Sequence, residues 1–480
     1  MAELSKKVPE KQRRGPGALL RGVDMTTGTI WKKLLLFAVP ILLTNILQQL
    51  FNTVDTAIVG ALDSSTALAA VGSVGSLVSL VVSFFIGIST GAGVVVSRRW
   101  GSLLAERAKA DPNEAMLGSD EKAVHDAVHT AFMISLITGT IVTILGITLS
   151  PLLLTLMNSP ETVKPLSLIY LRIYFSGMVP VMLYNTASGI LRAIGDSNRP
   201  LIYLMIAGIA NVFLDLITIG IFRWGVWGAA LATVVSNMVA TALALNRLLR
   251  ADDCYKLKLR CLTLNRQMLP TIIKIGIPTG IQSSLYAISN IVIQSNINIF
   301  GEDAMAGVAA VGTIDGFLYM PIAAFGLASM TFAGQNFGAG KPERVHKAVK
   351  SAMAMVMSFD IVLAAIILLI GEKLIYIFTQ GNAEAVKYGL SMLYMLAPTY
   401  FLFAPTEVLS GAIRGAGAAL QSMAVTAFFI CFVRVSIMLV FVPIYNDIRV
   451  VFAAYPITWV LCSLAFIVYY RFGNWKKKSF

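Results

Sequence analysis

Two carboxylates, Asp55 and Asp215, stand in otherwise apolar stretches of the chain, each with polar company at helical spacing. Asn211 and Asp215 are four residues apart, which puts them on one helix face. Thr44, Gln48, Asn52 and Asp55 follow one another as a polar stripe along a single helix. An unpaired carboxylate at the centre of a bilayer costs at least about 2.5–3.5 kcal/mol. No Lys or Arg lies at mid-depth in these stretches or in the one that holds Thr233, so the two carboxyls need a proton, a bound cation or hydrogen-bonding partners. Together with amide and hydroxyl oxygens they make a hard-oxygen site. Asp55, Asn211, Asp215 and Thr233 are therefore expected to bind H⁺ or Na⁺. The alternative reading has the carboxyls protonated and hydrogen-bonded for packing alone.

The second half of the chain carries its own charges in apolar surroundings: Asp315, Asp360, Glu407 and Arg434. Glu407 either pairs with Arg434 or faces a substrate. Asp315 is a candidate for a cavity wall, and Asp360 for a local pair. Tyr286, Asn290 and Gln294 recur every four residues, as Gln48 and Asn52 do, and these polar faces suit a wet substrate cavity or helix packing.

What must position these groups is a membrane bundle. Hydrophobic residues make up 57% of the 480 residues and charged residues 13%, about half the usual share of roughly 25% in soluble proteins. Twelve apolar spans are predicted, near 34–61, 67–96, 127–149, 166–187, 200–222, 226–249, 268–299, 305–336, 345–370, 385–413, 419–443 and 450–470. This excludes a soluble enzyme, a disordered chain and a disulfide-stapled module. The net charge of +13 invites a nucleic-acid reading, but the basic residues alternate. Counting loops with their adjoining helix ends, 30 Lys and Arg fall in the set that contains both tails and 5 in the other set. The positive-inside rule then places both termini in the cytoplasm, and no nucleic-acid partner is expected. The first span is too long for the apolar core of a signal peptide, and no cleavable one is expected.

The chain also repeats itself. Pro40 and Pro278 open spans 1 and 7, and Ala69-Ala-Val-Gly72 returns as Ala309-Ala-Val-Gly312. Val124-His125-x-Ala127 returns as Val345-His346-x-Ala348, and Ser188-Gly-Ile-Leu-Arg192-Ala-Ile-Gly195 as Ser410-Gly-Ala-Ile-Arg414-Gly-Ala-Gly417. The fold class expected is all-α and polytopic, with 12 transmembrane helices in two six-helix lobes related by a pseudo-two-fold axis along the membrane normal. The boundaries expected are a cytoplasmic tail 1–33, a first lobe 34–249, a linker 250–267, a second lobe 268–471 and a cytoplasmic tail 472–480. The repeat is also an internal control, because polar residues present in one copy only are candidates for function. Asp55, Asn211, Asp215 and Thr233 map to Ile293, Val433, Ile437 and Tyr455.

Other chemistry is weaker. Gly334-Gln-Asn-Phe-Gly338-Ala-Gly340-Lys341 looks like a phosphate-binding loop, but Pro342 stands where that motif needs Ser or Thr, and a membrane span precedes it. His125 and His129 are four apart, yet His125 matches His346, which has no second His beside it. A shared role at a helix start explains both, and no metal is expected beyond Na⁺ at the cation site. No role is assigned to Cys254, Cys261, Cys431 or Cys462. Twenty Met residues give slight support to a promiscuous binding surface. No nucleophile–base set is present, so an enzyme is not expected.

Gln48-Gln-Leu-Phe-Asn-Thr-Val-Asp55 with Gly60, Leu191-Arg-Ala-Ile-Gly-Asp196 with Pro200, and Gly334–Lys341 resemble the multidrug and toxic compound extrusion (MATE) family over nearly the whole chain. The resemblance implies two lobes in a V, exporting mostly cationic amphipathic compounds against H⁺ or Na⁺ by alternating access, with no cofactor. It implies the first-lobe cation site at Asp55, Asn211, Asp215 and Thr233, and a bending role for Pro40. A helix 7 Glu used by other members is absent, and Asn290 and Gln294 occupy that face. The expectation is a monomeric, multi-pass transporter of the bacterial cytoplasmic membrane. The runner-up is a related lipid-linked saccharide flippase, whose cavity would be more cationic than Asp55, Asp215, Asp315 and Glu407 suggest.

Overall fold

The computed structural model describes residues 22–62, 65–109, 119–157 and 159–477. The first 21 residues of the expected N-terminal tail, 110–118 of the loop between spans 2 and 3, and the last three residues lie outside the described residues. Twelve helical spans follow in order, with no strand among the described residues: α1 Ile30–Leu62, α2 Ser65–Lys109, α3 Ser119–Leu156, α4 Lys164–Ser176 with Met178–Ala193, α5 Asn198–Ile221, α6 Val226–Leu249, α7 Met268–Asn298, α8 Glu302–Gly338, α9 Pro342–Phe378, α10 Ala383–Leu402 with Ala404–Gly415, α11 Ala419–Tyr445 and α12 Ile448–Phe472. Eleven of these, counting each bent pair as one, are long and apolar enough to cross a membrane; α7 is the exception. Its polar residues make it unsuited to lipid, and the buried ones are satisfied inside the protein. Gln282 donates to Ser410 and Thr426 and accepts from Ser422, and Ser289 donates to the Ile430 carbonyl.

The helices bend where the backbone ladder is interrupted. α4 turns by 47° at Gly177 and α10 by 41° at Phe403, between Pro398 and Pro405. α5 passes into a π-helical turn, Leu216–Ile221, immediately after Asp215, and α11 has one at Ala427–Val433, immediately before Arg434. Such turns recur at functional sites. Pro40 and Pro278 sit ten residues inside α1 and α7 and do not open them. Large apolar side chains stand out around the bundle, among them Leu369, Ile221 and Phe472, as expected of a lipid-facing surface.

The helices form two six-helix lobes, α1–α6 and α7–α12, and glycines let them meet. A Cβ on Gly91 would come within 2.6 Å of the Gly276 Cα, and one on Gly87 would strike the Gly280 backbone. Further along, Gly101 lies against the Gln335 carbonyl and Gly338 against the Arg98 carbonyl. At the opposite end Gly72, Gly75, Gly312 and Gly316 have nothing within 4 Å. The lobes are closed at one end and parted at the other.

The closed end gathers the basic loops. Arg98 donates to the Ala416 carbonyl at 3.3 Å, His346 and the Tyr470 hydroxyl are 2.8 Å apart, and Arg107 pairs with Glu121 and Asp253. A strap, Val23–Gly28, crosses it from lobe to lobe. The Val23 N–H donates to the Gly195 carbonyl at 2.9 Å, and Met25 is fully buried, its N–H on the Gln335 amide oxygen. Asn336, Lys341 and Arg344 donate to strap carbonyls. The loop that resembled a phosphate cradle thus grips the chain's own backbone.

Segment 250–267 docks on the first lobe. The Lys258 N–H donates to His129 Nε2 at 3.0 Å, and Asn265 donates to Asp126. The other His129 ring nitrogen lies 2.7 Å from the His125 carbonyl one turn back in α3, which orients the ring so that Nε2 accepts from this segment. Burial opposes the charge of Asp253, but hydrogen bonds from Arg107 and the Cys254 backbone outweigh it and hold its carboxyl below the usual range. The docking contribution of Asp253 is therefore present above about pH 4 and is lost as the pH falls through the lowered value.

Candidate functional site

α1 reaches the site from one lobe and leaves by the other. Its first half, with Leu34, Phe37, Ala38 and Ile41, is buried in the apolar core of α8–α12. Its second half packs along α5, where Phe51 fills the space beside Gly208. Pro40 lies between the two regimes, where the ladder lacks one N–H, and the Thr44 hydroxyl donates to the Pro40 carbonyl at 2.7 Å.

On the second half of α1 the Asp55 carboxyl meets the carboxyl of Asp215 from α5. One oxygen of Asp55, both oxygens of Asp215 and the amide nitrogen of Asn211 are buried without a hydrogen-bond partner among the described residues. Asp215 is completely buried. Buried polar atoms are nearly always partnered; a proton or a small cation would satisfy the three carboxyl oxygens, whereas the Asn211 amide nitrogen is a donor that would serve a carboxylate. The residues fit either. With one carboxyl protonated the two oxygens hydrogen-bond to each other. With both ionised they are paired anionic ligands, and Asn211 offers an amide oxygen. The Thr233 hydroxyl donates to the Ala229 carbonyl at 3.0 Å, leaving its lone pairs available. Tyr170 of α4 lies within electrostatic reach of both carboxyls; sequence reasoning missed it, although a tyrosine in an apolar span was the available signal. No group of three or more His, Cys, Asp or Glu among the described residues is placed to hold a metal ion.

The residues expected to line a substrate cavity differ in their surroundings. Gln48, Asn52, Asn290 and Gln294 are exposed, with Gln294 donating to Asn298 at 2.8 Å. Tyr286 donates to Glu407 at 3.2 Å, and Tyr400 donates to Asp315.

Two readings of the second lobe need correction. Glu407 does not pair with Arg434; it lies 3.8 Å from Arg414, seven residues on and therefore on the same helix face. Arg434 is buried, donates twice to the Thr458 hydroxyl at 3.0 and 2.8 Å, and stacks 4.7 Å over Tyr455. Asp360 has no local pair: it is fully buried, and both of its oxygens lack partners among the described residues. The sequence also gave no sign that Tyr400, Phe403 and Tyr455 gather around Trp459, with ring centroids 4.8, 5.4 and 5.8 Å away.

A family model described as MatE matches residues 40–111, 116–217 and 278–441. The chain is 30% identical over 465 residues to the probable multidrug resistance protein YpnP of Bacillus subtilis (strain 168), covering 95% of this chain and 98% of that protein. It is 24% identical to the probable multidrug resistance protein NorM of Thermotoga maritima, covering 94% of each. A solved outward-facing structure of a multidrug resistance MATE family transporter of the MOP superfamily matches with a TM-score of 0.86 at 23% identity, over 96% of this chain and 99% of that one.

Proposed function

The chain belongs to the MatE family, and from that premise we propose that it is an antiporter exporting amphipathic, mostly cationic compounds against H⁺ or Na⁺. The reading is supported above all by the three unpartnered carboxyl oxygens of Asp55 and Asp215. An ion bound there cancels the cost of burying two carboxyls side by side. It therefore stabilises whichever conformation closes the site, and release favours the other; that difference is what coupling requires.

α1 supplies the mechanical link. Asp55 sits on the half that packs in the first lobe, and the half before Pro40 is held in the second. Binding or release at Asp55 and Asp215 changes how the second half of α1 lies on α5. Through Pro40 the change reaches the interface of the lobes. In this account 34–249 and 268–471 move against one another, with 250–267 riding on the first. Substrate enters the cleft lined by Gln48, Asn52, Tyr286, Asn290, Gln294, Asp315 and Glu407. We place the closed, basic end and both tails in the cytoplasm, because 30 of the basic residues collect there, with the chain a monomer in a bacterial cytoplasmic membrane.

The test is ethidium efflux from proteoliposomes with pH and Na⁺ gradients imposed separately. One gradient should drive ethidium uphill and the other should not. Ethidium movement that ignores both gradients would reject antiport.

A further inference from the structure

The duplication compares the two lobes residue by residue. At the offset that relates Ser188–Gly195 to Ser410–Gly417, Arg192 matches Arg414 and Asn185 matches Glu407. In the second lobe the Arg414 guanidinium is neutralised by Glu407, 3.8 Å away. In the first lobe that carboxylate is replaced by Asn185, whose amide donates to the Val181 carbonyl at 2.9 Å. The Arg192 guanidinium makes no hydrogen bond and no ion pair among the described residues.

Arg192 and Asn185 line one small cavity between α2, α4 and α8, with a free volume of about 30 Å³. Its wall holds hydroxyls with capacity to spare. Ser89 accepts from Thr186 at 3.1 Å and keeps its own proton to donate, and Thr331 has no partner among the described residues. Gly93 and Gly189 face each other across it, leaving room where side chains would otherwise fill the gap.

We propose that this cavity is an oxyanion subsite: the carboxylate or phosphate of an amphipathic substrate takes the place that the Glu407 side chain holds in the other lobe. Arg192 is the counter-charge, presenting a planar fork that a two-oxygen anion matches, and Ser89 and Thr331 donate beside it. Low-dielectric walls strengthen that attraction. The substrate range then extends from simple cations to zwitterions that carry an amine and an acid.

This rests on the reading of the chain as an exporter of small amphipathic molecules, and the experiment separates the two. Norfloxacin, which carries a carboxylate, and its ethyl ester, which does not, are titrated against the full chain in detergent at fixed ionic strength, followed by tryptophan fluorescence. Wild type should bind the acid at least tenfold more tightly than the ester. Asn185→Glu installs the carboxylate that the second lobe carries and should bring that ratio to within twofold of one. Because it supplies a counter-charge, it should melt no lower than wild type, so the result does not depend on whether Arg192→Gln folds. A wild-type ratio near one, or a ratio unchanged in Asn185→Glu, would overturn the subsite. Failure of wild type to bind either compound would instead overturn the exporter reading, and the subsite with it.

Discussion

Glu407 and Arg414 are the clearest stabilising pair in the second lobe, and their worth lies in not being separated. Both side chains are largely withdrawn from solvent, so removing one leaves the other as an uncompensated charge. Glu407→Gln should cost about 3 kcal/mol, whereas Glu407→Gln with Arg414→Gln should cost less than the two single changes together. Thermal melts in detergent read this out, and additive losses would show that the pair is not coupled. The same residues mark where sequence reasoning stops. Asp55 and Asp215 were legible because a carboxylate in an apolar span is expensive wherever the span turns. The actual partner of Glu407, Arg414, lies seven residues on along α10 and could be read from spacing. That Arg434 is not the partner could not, because contacts across helices depend on how α10 and α11 are rotated. Arg434 faces Thr458 and Tyr455 for that reason. Asp360 has no such account: it is buried without a partner, and neither the sequence nor its surroundings explain it.

At the scale of elements, α1, the strap and the glycine contacts of α2 and α7 decide which end is closed. Gly91 and Gly276 leave no room for a side chain, so Gly91→Val must push the lobes apart where they now touch. Overpacking of this kind costs about 1–3 kcal/mol, and here the strain is relieved by opening the closed end. With Met25→Cys on an otherwise cysteine-free background, the thiol should be shielded from a maleimide in the parent and react several-fold faster once Gly91→Val is added. Equal reactivity would mean that the glycine contacts do not hold this end shut. The sequence announced the helices through their apolar runs, but not the bends at Gly177 and Phe403. It did not announce the strap, because Gly334–Lys341 resembles a phosphate loop in composition and its real ligand, the backbone at Met25–Gly28, is made only by folding.

For the molecule as a whole, the duplication and the alternating charge made twelve helices in two lobes readable before any coordinates. The one helix whose composition argues against a membrane, α7, earns its place by burying Gln282 and Ser289 against α10 and α11. The orientation is testable directly. Single cysteines in loops 4–5, 6–7 and 8–9 should resist an impermeant thiol reagent in intact cells, and those in loops 7–8 and 11–12 should react; labelling of 250–267 from outside would invert the arrangement. The central claim is that the ion which drives export sits between Asp55 and Asp215. Its most direct test is gradient-driven efflux from proteoliposomes containing wild type, Asp55→Asn or Asp215→Asn, with substrate binding measured on the same preparations. Each substitution should abolish uphill efflux while substrate still binds, because the cleft lies between the lobes and the carboxyl pair within one of them. Folded Asp55→Asn and Asp215→Asn proteins that pump at the wild-type rate would contradict the account.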